Sequence, residues 1–277
     1  MGPSFRSAKI GEDCSPSSSI EPSGSEESSV NDSPMHHNPI ERQHIPIPIP
    51  EASDAAVLLF FGGSFDPPHL GHAQLPNQAA KQLEARLNLP MNSCRLVFVP
   101  AARSPHKDAA PTADHHRLAM LDLALSGIDR PHSIWTQELA DAPLNPREPS
   151  YWADTWAIAS SHFSSSTNRF LIGADQALSM HRWHRFAEFW KNAIVILRDD
   201  ANTIDALIDG LRNHDVWSVH DLDHWRTQCI TLPIVPWSST HIRIQLLSRE
   251  QNECTRIEGL DPGALSYIFE HGLYQTT

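Results

Sequence analysis

The stretch AAVLLFFGGSFDPPHLGH, residues 55–72, decides how the rest of the chain is read. Its first seven residues are continuously apolar, as a strand covered on both faces requires. Gly62 and Gly63 then allow a sharp turn and the close approach of a ligand to the backbone. Asp66, Pro67 and Pro68 follow, and His69 and His72 stand three apart where a helical composition begins. With a helix starting near Leu70, both imidazoles fall in its first turn on one face. Unpaired N–H groups and the helix dipole already favour an anion there, and two histidine donors turn that end into a phosphate site. Neither G-x-G-x-x-G nor G-x-x-x-x-G-K-[ST] is present, which excludes the dinucleotide fingerprint and the P-loop. Two rival readings of the pair stand beside the phosphate site. Metal ligation lacks a clear third ligand; a structural role has one ring capping and the other packed. Pro76 is expected to kink the helix or mark an imperfect first segment.

Downstream of this stretch, short apolar runs alternate with amphipathic helical patterns. Strands are expected at Val57–Phe61, Arg95–Val99, Ser133–Thr136, Arg169–Ile172, Ala193–Leu197 and Cys229–Ile234. Helices are expected near 70–87, 114–126, 150–162, 183–190, 202–212, 238–249 and 261–271. Continuous apolar strands separated by helices indicate an α/β domain with a doubly wound parallel sheet, whose ligands bind at the carboxyl ends of the strands.

Residues 1–53 are different. They hold twelve Ser and eight Pro, with eight acids against three bases, and cannot bury enough apolar surface to offset their conformational entropy. We read them as a solvated, disordered tail, with IPIPIP (45–50) as an extended arm leading into a domain over 54–277. The net charge of −12 repels phosphates globally, so a polyanionic ligand must be held by local donors. Nucleic acid is not an expected partner. Cys14, Cys94, Cys229 and Cys254 form no C-x-x-C pair and read as free thiols of a reducing compartment. No signal peptide or membrane span is expected, because the longest apolar run, Ala55–Phe61, is too short. The expected location is cytoplasmic.

With those residues in view, GGSFDPPHLGH resembles the (T/S)FDPxHxGH signature of the nucleotidylyltransferase superfamily. The remainder is similar to its bacterial nicotinate-nucleotide adenylyltransferases. SPHK (104–107), HHRLAMLDLAL (115–125), PSYWADT (149–155), FLIGADQALSMHRW (170–183), WSSTHIR (237–243) and YIFEHGLY (267–274) match further blocks in the same order.

The resemblance implies a Rossmann-like nucleotidylyltransferase fold. It also implies adenylyl transfer from ATP to nicotinate mononucleotide, with release of pyrophosphate. The attacking phosphate is already ionised, so catalysis reduces to alignment and neutralisation of charge. Mg²⁺ is expected to arrive with ATP, with no dedicated protein site. The catalytic candidates are His69, His72, Lys107 and Arg243, with Lys107 open to reading as a plain surface lysine. The ATP candidates are Gly62, Gly63, Ser64, Phe65, Gly173, Asp175, Ser238, Ser239 and Thr240. Asp175 could equally cap its helix, and Ser238 to Arg243 could be a plain capped helix with an exposed Arg. Tyr151, Asp154, Thr155 and Trp183 are the mononucleotide candidates, with Trp183 either stacking on the pyridine ring or simply packing. Where the family shows Ser-Tyr-Thr, this chain has Ser150-Tyr151-Trp152, so the hydroxyl available to the nicotinate carboxylate is absent. Other members of the superfamily, or a nucleotide-binding regulator without chemistry, remain alternatives. Oligomeric state is left unassigned.

Overall fold

The computed structural model describes residues 47–49, 55–103, 111–144, 149–198, 203–248 and 256–275. All of them lie in one compact unit, Gln43–Thr277. Its centre is a six-stranded sheet of β1 (Val57–Gly63), β2 (Cys94–Pro100), β3 (His132–Ile134), β4 (Thr167–Gly173), β5 (Ala193–Leu197) and β6 (Cys229–Thr231). The order is β3-β2-β1-β4-β5-β6, and every neighbouring pair is parallel. The sheet is therefore doubly wound about β1, and the order reverses between β1 and β4. A crevice opens at the carboxyl ends of those two strands, and ligands of such sheets bind there. Residues 62–63 and Gly173 end the two strands.

Both faces of the sheet are covered. On one, Leu58, Phe60, Val97 and Phe170 pack with Trp135, Trp156 and Phe163. On the other, Val57, Leu59, Leu96 and Phe98 pack with Ala79, Ala80 and Leu83 of α1 (Leu70–Leu87). A third cluster joins α2 (Asp114–Leu125), α8 (Ser239–Leu247) and α9 (Pro262–Glu270) through Met120, Ile242, Leu246, Leu265 and Ile268.

The helix expected near 70–87 runs as one element through Pro76. The one expected over 183–190 is absent. The α-helix of that region is α5 (Ala174–Ser179), and 3-10 turns occupy Met180–Arg182, Phe186–Glu188 and Trp190–Asn192. Arg185 takes a left-handed φ of 51°, which an α-helix cannot contain. Three other helices, α3 (Gln137–Asp141), α4 (Trp152–His162) and α6 (Ile204–Arg212), flank the sheet with α7 (Val219–Thr227). Of these, α3 and α7 lie where no helix is expected from the pattern.

The reading of residues 1–53 as wholly solvated also needs correction. Ile49 is buried in the larger core cluster and Ile47 packs against it. An isoleucine flanked by prolines has little ordering entropy left to lose, so its burial outweighs the polar character of the surrounding segment.

Candidate active site

The loop leaving β1 is fixed from several directions. Phe65 sits at a φ of 50°, a left-handed conformation that its side chain holds by packing on Phe61, His72 and Phe98. A Cβ added to Gly63 would lie 3.1 Å from the Phe65 ring, so glycine is the residue that fits. Arg117, fully buried, donates to the Ser64 carbonyl at 2.7 Å and the Thr112 carbonyl at 3.0 Å. The Asp66 carboxylate accepts from the Thr112 N–H at 3.2 Å and from the Tyr274 hydroxyl at 2.5 Å.

The histidine pair stacks, with ring centroids 3.7 Å apart and planes at 28°. His69 is the N-cap of α1. Its backbone N–H donates to His72 Nδ1 at 3.1 Å. Because Nδ1 accepts, the proton of an uncharged His72 ring sits on Nε2. Burial, with the Arg198 charge second, lowers the pKa of His69 to about 4; at neutral pH it is an uncharged imidazole. Its Nδ1 is buried without a hydrogen bond. Gly71 permits the arrangement, since a Cβ there would meet Val235 Cγ1 at 2.6 Å and His69 Cε1 at 2.9 Å.

The start of α8 reaches the same loop. Ser238 is its N-cap, accepting from the His241 N–H at 3.2 Å, and Ser239 donates to the Pro67 carbonyl at 2.8 Å. Arg243 donates to the Asp66 carbonyl at 2.5 Å and to Thr240 Oγ1 at 3.2 Å. Chain segments more than 170 residues apart thus meet at the loop. The Arg243 fork grips the loop between β1 and α1. Arg243→Lys is expected to lower kcat/KM about tenfold or more, because a point charge cannot hold both acceptors. Steady-state kinetics of the variant check this, and wild-type values would show that charge alone suffices.

Across the crevice, Gly173 ends β4 as the N-cap of α5. A Cβ on it would lie 2.5 Å from Asp175 Oδ1 and 3.8 Å from Arg198 Nη2. Asp175 therefore folds back over the strand end, with Arg198 close by. Arg198, at the end of β5, and Tyr274 are two residues to which sequence reasoning gave no role. Lys107 lies outside the described residues.

Beside residues 62–64 opens a cavity of about 340 Å³. Tyr151, Trp152, Arg182, Trp183 and Glu138 are among the residues lining it. Of the four mononucleotide candidates, Tyr151 and Trp183 reach the cavity. Asp154 instead pairs with Arg185 at 2.8 Å on the surface, and Thr155 is buried behind the wall, donating to Glu138 Oε1 at 2.9 Å. Trp183 does not open a helix, and its N–H is spent on the Met180 carbonyl at 2.9 Å. Tyr151 does precede one: α4 starts at Trp152 without a side-chain cap. Among the described residues, no group of three or more His, Cys, Asp or Glu is placed to hold a metal ion.

Glu138 is the other residue that sequence reasoning missed, because only burial by distant elements makes it unusual. Desolvation raises its pKa to about 7, against the lowering effect of the Thr155 hydrogen bond. A raised carboxyl pKa stabilises the fold below pH 4.5 and loses that contribution as pH rises through 7, about 3 kcal/mol for such a shift. His69 acts oppositely: its lowered pKa costs stability as pH falls from 6.5 towards 4. The two offset each other through the mildly acidic range. Glu138→Gln keeps an acceptor for Thr155 and removes the titration. Its melting temperature, relative to wild type, should be several degrees higher at pH 8 than at pH 5. Parallel pH profiles for the two proteins would contradict the assignment.

A cytidylyltransferase-like family profile matches residues 60–244. A probable nicotinate-nucleotide adenylyltransferase of Neisseria meningitidis is 30% identical over 217 residues, covering 78% of this chain and 96% of its own. The corresponding protein of Idiomarina loihiensis is 30% identical over 224 residues, 77% of this chain and 97% of its own. In fold, the Plasmodium falciparum nicotinic acid mononucleotide adenylyltransferase complexed with NaAD superposes with a TM-score of 0.55. That likeness covers 79% of this chain and 97% of the other at 17% identity, and it bears on fold alone. With the His-x-Gly-His helix start, the Ser-Ser-Thr-x-Ile-Arg helix start and the parallel sheet in place, the chain belongs to the cytidylyltransferase-like family, among its nicotinate-nucleotide adenylyltransferases.

Proposed function

We propose that this protein transfers the adenylyl group of ATP to nicotinate mononucleotide, forming deamido-NAD and pyrophosphate in NAD biosynthesis. One observation carries the reading: two helix starts, of α1 and α8, converge on one loop beside a cavity at the β1/β4 crevice. Such a convergence suits two polyanions lying end to end. The mononucleotide phosphate attacks the α-phosphorus, a new P–O bond forms, and the bond to pyrophosphate breaks with its electron pair. The attacking oxygen is already an anion, so no residue has to remove a proton. In our reading His69, an uncharged imidazole, and His72 donate to the ATP phosphates, with His72 Nε2–H meeting charge that develops on the α-phosphoryl oxygens. Arg243 and, in our reading, Lys107 add positive charge, and the amides of Gly62, Gly63, Ser64 and Phe65 and of Ser238 to Thr240 supply uncharged donors. Gly173 and Asp175 face the adenosine ribose, and Tyr151 and Trp183 flank the pyridine ring. Mg²⁺ carried on the ATP phosphates would supply further neutralisation.

We place the reaction in a reducing, cytoplasmic setting. Cys94 and Cys229 are free thiols, and burial pushes them up to about 12 and about 11, so neither is a reactive thiolate. Among the described residues, no helix is long and apolar enough to cross a membrane. The test is pyrophosphate release from ATP and Mg²⁺ with each mononucleotide in turn. Release with nicotinate mononucleotide is expected. Release only with phosphopantetheine, or only from CTP, would replace the proposal with another member of the family.

A further inference from the structure

The arm that precedes the family match docks on the segment that enters α3, one residue before the cavity-lining Glu138. The Ile47 N–H donates to Gln137 Oε1 at 2.7 Å, and the Ile47 carbonyl accepts from Trp135 Nε1 at 2.8 Å. Both partners are buried, Trp135 and Gln137 each at 1% exposure. One arm residue thus satisfies two buried polar groups, 88 and 90 positions away, on the segment that enters α3. Two residues further along the arm, Ile49 inserts into the core cluster that contains Trp135. The next residue after Gln137 is Glu138, which lines the cavity. The match to the family begins only at residue 60, so the clamp lies upstream of it. In the sequence, prolines flank Ile47 and Ile49 on both sides, which keeps the arm extended before it docks.

We propose that Ile47–Ile49 is a positioning strap for the mononucleotide site: by holding Trp135 and Gln137 it sets where α3 presents Glu138 to the cavity. The inference rests on the cavity being the mononucleotide site. Without the strap, two buried groups lose a partner, and exposing them to water requires α3 to move away from the core. Binding in the cavity weakens as its wall shifts, while the phosphate-binding donors at α1 and α8 stay in place.

The experiment compares the full chain, a protein starting at Gln43, a protein starting at Asp54, and full-length Ile47→Pro. Proline deletes the donor to Gln137 and is compatible with the extended arm. The Gln43 form should match the full chain. The Asp54 form should show KM for nicotinate mononucleotide raised about tenfold with kcat within about twofold, the size expected when buried polar groups lose partners. A peptide of residues 43–54 added in trans should restore the lower KM. Ile47→Pro should raise KM about threefold, and it decides the matter if the Asp54 form does not fold. An unchanged KM in Ile47→Pro, or a loss in the Asp54 form that falls on kcat and is not restored by the peptide, overturns the strap. If the full chain releases no pyrophosphate, the function proposal fails instead, and hydrogen exchange at Gln137–Asp141 decides the strap. Faster exchange there on losing the arm or in Ile47→Pro supports it, and unchanged exchange overturns it.

Discussion

Replacing His72 with alanine should lower kcat about a hundredfold and leave KM for ATP within about threefold. The size is that of one preorganised donor whose interaction strengthens only as the transition state forms, about 3 kcal/mol. The donor atom follows from the N-cap geometry: with Nδ1 occupied by the His69 N–H, an uncharged ring carries its proton on Nε2. Alanine also removes that cap acceptor, which on its own costs about 1 kcal/mol of stability. His72→Asn separates the two roles. Its amide oxygen can take the place of Nδ1, while nothing replaces the outer donor. A kcat as low as that of His72→Ala, with the wild-type melting temperature recovered, is the expected pair of results. A variant with normal kcat and only weakened ATP binding would take His72 out of transition-state stabilisation.

The second large effect concerns the pyridine substituent. Nicotinate mononucleotide should be preferred over nicotinamide mononucleotide about ten- to a hundredfold in kcat/KM. Two features of the cavity favour the anion. The uncapped start of α4 at Trp152 offers first-turn amides and the positive end of a helix dipole, and Arg182 lines the same space. A carboxamide would set its own NH₂ donors against these donors. The Trp183 amide gives no help, because it is bonded to Met180, and Arg185 is held outside by Asp154 and Glu188. Trp152 supplies no hydroxyl, so the expected discrimination rests on backbone amides and Arg182. Specificity constants for the two mononucleotides measured side by side decide it; equality, or preference for the amide, means that Glu138 rather than Arg182 dominates the pocket.

The sheet was legible because its strands are continuously apolar. Ala193–Leu197 is observed with the bounds its composition predicts, and the other five strands fall where expected with shifts of a few residues at their ends. Helix α1 was legible from its start signals. By contrast, SMHRWHRFAEFW has the composition of a helix, yet Arg185 is drawn by Asp154 and Glu188 into a left-handed turn; the decisive partner, Asp154, is 31 residues away. Ser218 and Asp221 do form a visible capping pair, a local signal for α7 that went unused. For the site, motif residues at the ends of β1, β4 and α8 could be named from sequence, since each carries its chemistry locally. Glu138, Arg198 and the grip of Tyr274 on Asp66 could not. Each matters only through a neighbour supplied by another part of the chain.

The bond from Tyr274 to Asp66 spans 208 residues, which has a consequence during biosynthesis. The loop bearing the histidines leaves the ribosome first, and the hydroxyl that holds its aspartate emerges 208 residues later. At roughly 5–20 residues per second, the wait is on the order of 10–40 s. Through that interval the nascent sheet can pair β1 with β2 and β2 with β3, but the loop has only some of its anchors. The set of anchors on the loop is therefore completed only when Tyr274 docks behind it. A change near Tyr274 reaches the loop more directly than its distance along the sequence suggests.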